Sequence, residues 1–517
     1  MTEVLSQTWL WPLAGLVIAL ALAAPLVWLV MLDLLLSFVP GQWLLGGVRV
    51  DPADLVIAGV ALALLVRGRW RRDRLPWRLP GFGLWLALGA LLCAAYLTAP
   101  ENQEHLTSPV RAAYQLYRYC WKPILYYPVA ALLLSEPRRA WWALAALVVG
   151  GDVCAAIAVP QGYQGLRAAG PFTSPNTLGA VLVVPMLIAA AGLLCGEGRW
   201  RRLACGASLL LLGRALLFCG SRGASLAFCI GAAMLCWLAS RQPRIRRRMA
   251  RAAPWALAGA LAAVAVSPGL LASPNLQRFL TLAHPMDEGT LQWRMKLRWP
   301  HFWHQVEAHP LLGVGTYVDT RLGTSGNTPH NGYLATAVAS GLPALGVYLF
   351  FSLLALYRPL RRLLRRGRRR AATAAVSEGE GEGAAAPPRS FPAWPEQPAA
   401  RPPRLPLRSA QAATVAETGL GSWVLDALVV AAMAGLLVHN FDDTVWPIPV
   451  VARELWLLVA LALVPPRLLA PRAPATAGLR WRVAPAGPGA VQISAGPGAM
   501  QEPASPGAMQ APAAAAT

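Results

Sequence analysis

Long apolar runs constrain this chain more than any other feature of its sequence. A helix needs about 20 apolar residues to cross the hydrocarbon core of a bilayer, and somewhat fewer where neighbouring helices bury its ends. Twelve runs meet or approach that length, and we interpret each as a membrane span: 9–32, 52–66, 82–98, 121–135, 139–159, 177–196, 203–219, 224–240, 253–267, 332–357, 422–438 and 450–466. The sequence therefore predicts an all-α polytopic membrane protein with about 12 transmembrane helices.

Composition supports this class and excludes several others. Of 517 residues, 56% are hydrophobic and only 14% are charged, whereas an average soluble domain is about 25% charged. This balance excludes a disordered chain and an ordinary soluble enzyme. The eight cysteines lie mostly inside apolar runs and form no C-x-x-C pair, so we expect small buried hydrophobic side chains and neither a metal nor another cofactor.

The net charge of +22 has a better explanation in topology than in nucleic-acid binding. A nucleic-acid interface interleaves basic and aromatic side chains on one surface, but these arginines form short clusters in every second connection, at 67–78, 138–139, 199–202, 241–251 and 358–370. Because basic connections stay in the cytoplasm, we expect both termini there and no nucleic acid among the partners. The other connections, which hold or border all seven histidines, then face the periplasm.

This topology divides the chain into four parts. We expect a transmembrane catalytic core over 1–357, which includes one long periplasmic loop over 268–331, and the last two transmembrane helices over 421–468. Between them lies a cytoplasmic linker, 358–420, and after them a cytoplasmic tail, 469–517. The linker beyond its basic run and the tail are rich in Pro, Ala and Gly and too poor in apolar residues to bury a core, so both are predicted to be disordered.

Gly220-Ser221-Arg222-Gly223 joins two apolar runs at the expected periplasmic edge. An arginine at such a position costs free energy unless it pairs, reaches the interface or faces a polar cavity, so a functional role is the default hypothesis. The glycines would let backbone N–H groups approach an anion beside the guanidinium, with Ser221 in support. The alternative is an arginine that only extends to the interface, and Arg214 in the same span is as compatible with pairing to another helix as with function.

The long loop contains a second pair of arginines, Arg294 and Arg298. A spacing of four places both on one face of an α-helix, and two guanidiniums on one face suit a polyanion such as a diphosphate. The alternative is an amphipathic helix that lies on anionic headgroups, which Trp293, Trp299 and Trp303 would also suit.

His330 lies where the long loop re-enters the membrane, just before an expected helix start. An imidazole titrates near neutral pH and can accept a proton from a hydroxyl, which makes His330 a candidate general base. Asn331 could orient it or bind a sugar hydroxyl, and His309 lies in the Gly-rich segment that precedes it. The alternative for His330 is a hydrogen-bonded helix cap.

Two other segments give weaker indications. Asn176, in Gly170-Pro-Phe-Thr-Ser-Pro-Asn176, is a candidate N-cap for the following span. The stretch His439-Asn440-Phe441-Asp442-Asp443 could hold a cation, but adjacent carboxylates on a helix point in different directions, so we predict no metal site. The sequence has no H-E-x-x-H, P-loop, G-x-S-x-G or Rossmann glycine pattern, which argues against protease, ATPase, hydrolase and dehydrogenase functions.

Together these segments resemble the O-antigen ligase and polymerase family of bacterial inner-membrane glycosyltransferases. The resemblance rests on ordered pieces within 165–355, namely GPFTSPNTLG at 170–179, CGSRGASLA at 219–227, Trp293-Arg294, HPLLGVG at 309–315 and PHNGYL at 329–334. It implies an undecaprenyl-diphosphate-linked glycan donor, a glycan or lipid A-core acceptor, and an inverting, metal-independent transfer at the periplasmic face of the inner membrane. Position by position it assigns diphosphate binding to Arg222 and Arg294, with Arg298 beside them, and the general base to His330.

Three functions remain open from the sequence. A ligase, a polymerase and a protein O-oligosaccharyltransferase share the same donor and differ only in the acceptor. A transporter of lipid-linked glycan belongs to another class, and it would show inverted repeats or a path of ionisable residues through the membrane. We find neither in the sequence, so transport is the least favoured function.

The predicted topology can be tested with a reporter fused near residue 300. We expect alkaline phosphatase, which needs an oxidising compartment for its disulfides, to be active there and inactive when fused within 241–251. Phosphatase activity in whole cells measures both fusions. A fusion near residue 300 that is active only with a cytoplasmic reporter would reject the span assignment.

Overall fold

The computed structural model describes residues 79–99, 109–133, 137–196, 198–266, 292–315, 329–382, 407–442 and 449–463, with the short pieces 34–35, 43–45, 48–50, 56 and 59. All of them belong to one unit of the chain, Met1–Ala470. The predicted spans 9–32 and 52–66, most of the long loop and the whole tail 469–517 therefore lie largely or wholly outside the described residues.

The regular secondary structure of the described residues is helical with one short exception. Strands β1 (Trp43–Leu45) and β2 (Val48–Val50) pair antiparallel, with Trp43 opposite Val50. The sequence between them, Gly46-Gly47, is typical of a two-residue hairpin turn. Apart from this short strand pair, the described elements agree with the all-α prediction.

Twelve α-helices and two π-helical turns are the other secondary-structure elements described. The helices before the long loop are α1 (Phe82–Thr98), α2 (Pro109–Leu116), α3 (Lys122–Leu133), α4 (Pro137–Tyr163), α5 (Pro175–Cys195), α6 (Arg199–Cys219), α7 (Arg222–Ser240) and α8 (Pro243–Val266). Those after it are α9 (Trp299–Ala308), α10 (Gly332–Glu382), α11 (Leu407–Asp442) and α12 (Pro449–Leu463). The π-helical turns, Tyr117–Trp121 and Arg294–Arg298, lead directly into α3 and α9.

Six of the described helices are long and apolar enough to cross a membrane. They are Arg139–Tyr163 in α4, Pro175–Cys195, Arg199–Cys219, Arg222–Ser240, Gly332–Gly367 in α10 and Ser422–Phe441 in α11, while α1 is apolar but shorter. Helices α3, α8 and α12 overlap the predicted spans 121–135, 253–267 and 450–466, but they are not among these six helices. The multi-pass class is therefore confirmed, and the count of about 12 stays a prediction.

The predicted disordered linker is helical at both ends. Helix α10 continues to Glu382 and α11 begins at Leu407, so the prediction of disorder is wrong for 371–382 and 407–420. Alanine, which is frequent in these stretches, is the strongest helix former. Helix propensity outweighs the low apolar content there.

Small residues let α7 and α11 approach closely. A Cβ atom on Gly231 would lie 2.9 Å from the carbonyl oxygen of Ala431, and one on Gly435 would lie 2.8 Å from that of Ala227. Packing of this kind holds helices together in lipid, where the hydrophobic effect between them is absent. The two contacts also define an antiparallel register, since moving four residues forward on α7 moves four residues backward on α11.

Arg362 of α10 bonds to groups on both α11 and α12 and so joins the three helices. Arg362 donates to Asp426 Oδ1 from Nη2 at 2.6 Å and to the carbonyl oxygen of Ala462 from Nη1 at 2.8 Å. Arg366 lies 3.4 Å from the second carboxylate oxygen of Asp426. The guanidinium of Arg362 thus neutralises a largely buried carboxylate and satisfies a carbonyl near the last turn of α12.

Helix α10 is broken at Gly341, whose backbone angles are φ 80° and ψ 170°. At the break, backbone groups of α10 form hydrogen bonds with the loop 309–315. Leu342 N–H donates to the Pro310 carbonyl oxygen at 2.8 Å, and Val314 N–H donates to the Val338 carbonyl oxygen at 2.8 Å. The interlock fixes the first segment of α10 against the end of the long loop.

Replacing Gly341 with alanine tests this interlock. The glycine-specific backbone conformation alone costs another residue about 1–3 kcal/mol, and a Cβ there would also overlap the Leu311 carbonyl. We expect Gly341→Ala to lower the thermal unfolding midpoint of the purified protein in detergent. Gly346→Ala is the matched control, because none of the described atoms lies within 4 Å of a Cβ at that position in the same helix; equal midpoints for the two variants would contradict the interlock.

Candidate functional site

Arg222 is placed by the sharp corner between α6 and α7. Gly220 caps α6 in the left-handed conformation, with φ 59° and its N–H donating to the Leu216 carbonyl oxygen at 3.3 Å. The carbonyl of the buried Ser221 accepts from the N–H and the hydroxyl of Ser225, at 3.0 and 2.9 Å. Arg222 is therefore the first residue of α7 and is half-buried.

The start of α5 supports this corner. Ser174 is the N-cap of α5, and its hydroxyl accepts from the N–H of Asn176 at 3.2 Å, so the prediction of Asn176 as the N-cap is wrong. The Pro at position 175 fits the first helical position, which moves the cap one residue earlier. The Asn176 side chain instead accepts from Arg167 Nη2 at 3.2 Å, and Arg167 Nε donates to the Cys219 carbonyl oxygen at 3.1 Å.

Arg214 pairs with another helix, which is one of the two alternatives that the sequence left open. Its Nη2 donates to the Tyr163 hydroxyl at 3.1 Å, and its guanidinium carbon lies 4.7 Å from the Phe218 ring centroid. These contacts compensate the charge and join α6 to the end of α4. Arg214 thus has a structural role in the bundle.

His330 has a strained backbone at the entry to α10. Its φ is 45°, in the left-handed region that non-glycine residues rarely adopt and that recurs at functional sites. Asn331 follows it as the N-cap, because its Oδ1 accepts from the N–H groups of Tyr333 and Leu334 at 3.1 and 3.0 Å. Asn331 therefore supports the candidate site by fixing the start of α10, directly after His330.

The beginning of α10 is anchored on the end of α11. Gly332 lies so close to Asn440 that any Cβ there would overlap the Asn440 side chain. Asn440, which is 1% exposed, donates from Nδ2 to the Tyr348 hydroxyl at 3.2 Å, and Tyr333 donates to the Leu437 carbonyl oxygen at 2.7 Å. This end of the bundle, where Arg222, Gly332 and Asn440 lie, is called the His330 end below.

Arg294 and Arg298 differ from the sequence prediction in their local structure. The turn that holds them is π-helical and not α-helical. A spacing of four residues is close to one turn in either helix, so their common face stays a prediction. Arg298 is buried, with its guanidinium carbon 4.6 Å from the Trp293 ring centroid, while Arg294 is half-buried. The two guanidiniums therefore occupy different environments.

Trp299 connects this arginine turn to the His330 end. Its indole Nε1 donates to the carbonyl oxygen of Pro329, the residue before His330, at 3.0 Å. Its ring also packs edge-to-face on Phe441, with centroids 5.6 Å apart. One tryptophan thus joins the segment after Arg298, the segment before His330 and the end of α11.

Two of the three predicted site segments contact Asn440 or Phe441, and the third is level with them along the helix bundle. Trp299 and Gly332 contact these residues directly, and the register between α7 and α11, continued by little more than one turn, brings Arg222 level with Asn440. His309, at the end of α9, is exposed and has no contact of this kind among those described. The two arginine segments and His330 stay the predicted site, and the structure adds Asn440 and Phe441 as residues that two of these segments contact.

Asn440 and Arg167 were missed as parts of this arrangement. The sequence drew attention to 439–443 only as a weak cation site, and among the described residues no three His, Cys, Asp or Glu side chains form a group that could hold a metal ion; Asp443 lies outside the described residues. A polar residue such as Asn440 at the end of an apolar span was the available signal. The sequence gave no such signal for Arg167, because two of its partners are backbone carbonyls distant in sequence.

These features define a multi-pass membrane protein with a polar site at one end of its helix bundle. The model of the O-antigen ligase family matches residues 207–349, which include Arg222, Arg294, Arg298 and His330. Residues 207–349 are therefore similar to the O-antigen ligase family, and the predicted resemblance is confirmed. A search of the curated proteins finds no match.

The capping role of Asn331 can be separated from a role in binding substrate. Asn331→Ala removes an N-cap acceptor and should lower the free energy of unfolding by about 1 kcal/mol, whereas aspartate caps helices as well as asparagine does. We expect Asn331→Asp to keep the wild-type unfolding midpoint in detergent and Asn331→Ala to lose several degrees. Equal destabilisation by both variants would show that the amide nitrogen, and not the capping oxygen, is the important group.

Proposed function

We propose that this protein is an O-antigen ligase-type glycosyltransferase. It transfers a glycan from undecaprenyl diphosphate to an acceptor hydroxyl at the periplasmic face of the bacterial inner membrane, by an inverting, metal-independent reaction. The observation that supports this proposal is that Trp299, next to Arg298, bonds to the residue before His330 and packs on Phe441, while the register between α7 and α11 puts Arg222 level with Asn440. All three predicted site residues lie within the family-matched region.

Arg222, Arg294 and Arg298 would hold the diphosphate of the donor. Arginine binds phosphate through paired N–H groups and stays charged at any physiological pH. Arg222 also opens α7, where the free N–H groups of the first helical turn add positive partial charge. Fixed positive charge at the leaving group stabilises the anion that develops as the glycosidic bond breaks.

His330 would act as the general base on the acceptor. As its imidazole takes the proton of the acceptor hydroxyl, the oxygen attacks the anomeric carbon from the side opposite the diphosphate. A new carbon–oxygen bond forms, the bond to the diphosphate breaks, and undecaprenyl diphosphate leaves with the bonding electrons. Attack from the opposite side inverts the configuration at the anomeric carbon.

The arginine turn is also suited to a lipid-linked donor. Trp293, Leu297 and Trp303 around it are 41%, 64% and 49% exposed. Tryptophan and arginine are favoured where a bilayer meets water, so these side chains would lie among membrane lipids. The polyprenyl chain could then stay in the bilayer while its diphosphate reaches the arginines.

The acceptor distinguishes the ligase from its alternatives. A lipid A-core acceptor defines a ligase, a second glycan defines a polymerase, and a protein hydroxyl defines a protein O-oligosaccharyltransferase. Deleting the gene should leave a finished polymer on the lipid carrier for a ligase and only single repeat units for a polymerase, as seen by analysis of lipid-linked and surface glycans. Unchanged glycans of every kind would contradict all three.

Substitutions at the proposed clamp and base test the chemistry directly. We expect Arg222→Gln and His330→Ala each to reduce transfer from an undecaprenyl-diphosphate-linked glycan by about 10²–10⁴-fold, as losses of single charge-stabilising or proton-transfer groups do. The measurement is release of undecaprenyl diphosphate by the purified protein in nanodiscs.

Two matched controls should keep wild-type turnover. His304→Ala removes an exposed histidine of the same loop, which lies 2.9 Å from Glu307, and Arg201→Gln removes an exposed arginine of α6. Wild-type turnover in Arg222→Gln or His330→Ala would contradict the assigned roles.

A further inference from the structure

Arg167 lies outside the family-matched region, yet it holds the corner that presents Arg222. Its side chain bonds three groups: Nε donates to the Cys219 carbonyl oxygen at 3.1 Å, and Nη2 donates to the Gly220 carbonyl oxygen at 3.5 Å and to Asn176 Oδ1 at 3.2 Å. One guanidinium therefore ties the end of α6 to the beginning of α5.

The electrostatics of these bonds are favourable. The last four carbonyl groups of a helix have no partner within the helix and carry partial negative charge. The Cys219 and Gly220 carbonyls lie at the end of α6, so a cation there satisfies and neutralises them. Arg167 thus stabilises the helix end directly before Arg222.

The loop that carries Arg167 is itself fixed in place. Gln161 Oε1 accepts from the N–H groups of Ala169 and Gly170 at 3.0 and 2.9 Å, and its Nε2 donates to the Gly170 carbonyl oxygen at 2.9 Å. Ala168 N–H donates to the Phe218 carbonyl oxygen at 3.1 Å. Arg167 is therefore mounted on a hydrogen-bonded loop and is not a freely moving surface side chain.

Helix α5 restricts the Gly220–Ser221 corner from the side opposite Arg167. A Cβ atom on Gly179 of α5 would lie 2.7 Å from Ser221 Cβ, so α5 packs directly against the residue before Arg222. Helix α5 on one side and Arg167 on the other thus restrict the position of the Gly220 and Ser221 backbone. The direction in which Arg222 leaves the corner follows from that position.

We propose that Arg167 is a positioning residue, which acts on the donor diphosphate through Arg222 by fixing the Gly220–Ser221 corner. This inference rests on the proposed function, because it takes Arg222 as the diphosphate ligand. A misplacement of about 1 Å in a group that positions substrate can cost about 10²-fold in rate. We therefore expect Arg167→Gln to lower turnover by that order through a weaker hold on the donor.

Arg167→Lys is the second variant, in case the glutamine variant fails to fold. Lysine keeps the positive charge at the end of α6 but has a single nitrogen, which cannot reproduce the fork that reaches two carbonyls and an amide. We expect stable protein with an intermediate loss of turnover. A folded Arg167→Lys protein with full wild-type turnover would overturn the inference.

A double-mutant cycle with Arg222 decides between positioning and an independent role. The experiment measures transfer from an undecaprenyl-diphosphate-linked glycan by the full chain in nanodiscs, and donor affinity by titration with undecaprenyl diphosphate, for Arg167→Gln, Arg222→Gln and the double variant. If Arg167 acts through Arg222, the double variant should be no slower than Arg222→Gln, because residues in one network are not additive. Arg201→Gln is the control, and it should match the wild type.

The remaining outcomes separate this inference from the proposed function. If Arg222→Gln loses turnover while Arg167→Gln does not, or if the two losses multiply in the double variant, the positioning role is overturned and the proposed function stands. If Arg222→Gln keeps wild-type turnover and donor affinity, the diphosphate clamp itself is contradicted and the inference falls with it.

Discussion

The close antiparallel contact between α7 and α11 is the interaction on which the rest of the site depends. Glycine at 231 and 435 lets backbone meet backbone along this pair, and a larger side chain at either position would separate the helices. The same register brings Arg222 to the level of Asn440, against which Gly332 packs. Three segments distant in sequence can therefore form one site at this end of the bundle, because the α7–α11 pair fixes the relative height of the residues that hold them.

Arginine serves several purposes in this fold, and its partners distinguish them. Arg362 is neutralised by Asp426 at the end of the bundle opposite the site, and Arg214 is held by Tyr163 within it. Arg167 is held by helix-terminal carbonyls. A charge within or beside a membrane is costly unless it is compensated, and in these three cases the compensating groups are the protein's own. For Arg222 we propose a further role, as a ligand of the donor diphosphate.

Sequence patterns predict the helical, multi-pass class well, because apolar length is a direct requirement of the bilayer. They also select Arg222 and His330 as candidates, since a charged or titratable residue next to a membrane span is a functional hypothesis by default. They fail where long-range packing decides: the π-turn at Arg294–Arg298, the break of α10 at Gly341 and the anchoring role of Asn440 depend on partners far along the chain. Helix propensity also makes parts of the linker helical, where composition alone indicated disorder.

The most direct test of the account is an experimental structure of the full chain in nanodiscs with undecaprenyl diphosphate bound. The claim under test is that Arg222, the arginine turn and His330 share one pocket beside Asn440 and Phe441. The account predicts diphosphate density within hydrogen-bonding distance of Arg222 and of at least one arginine of the turn, with the His330 imidazole facing the open side. Density for the headgroup elsewhere, with Arg222 and His330 on separate surfaces, would contradict it.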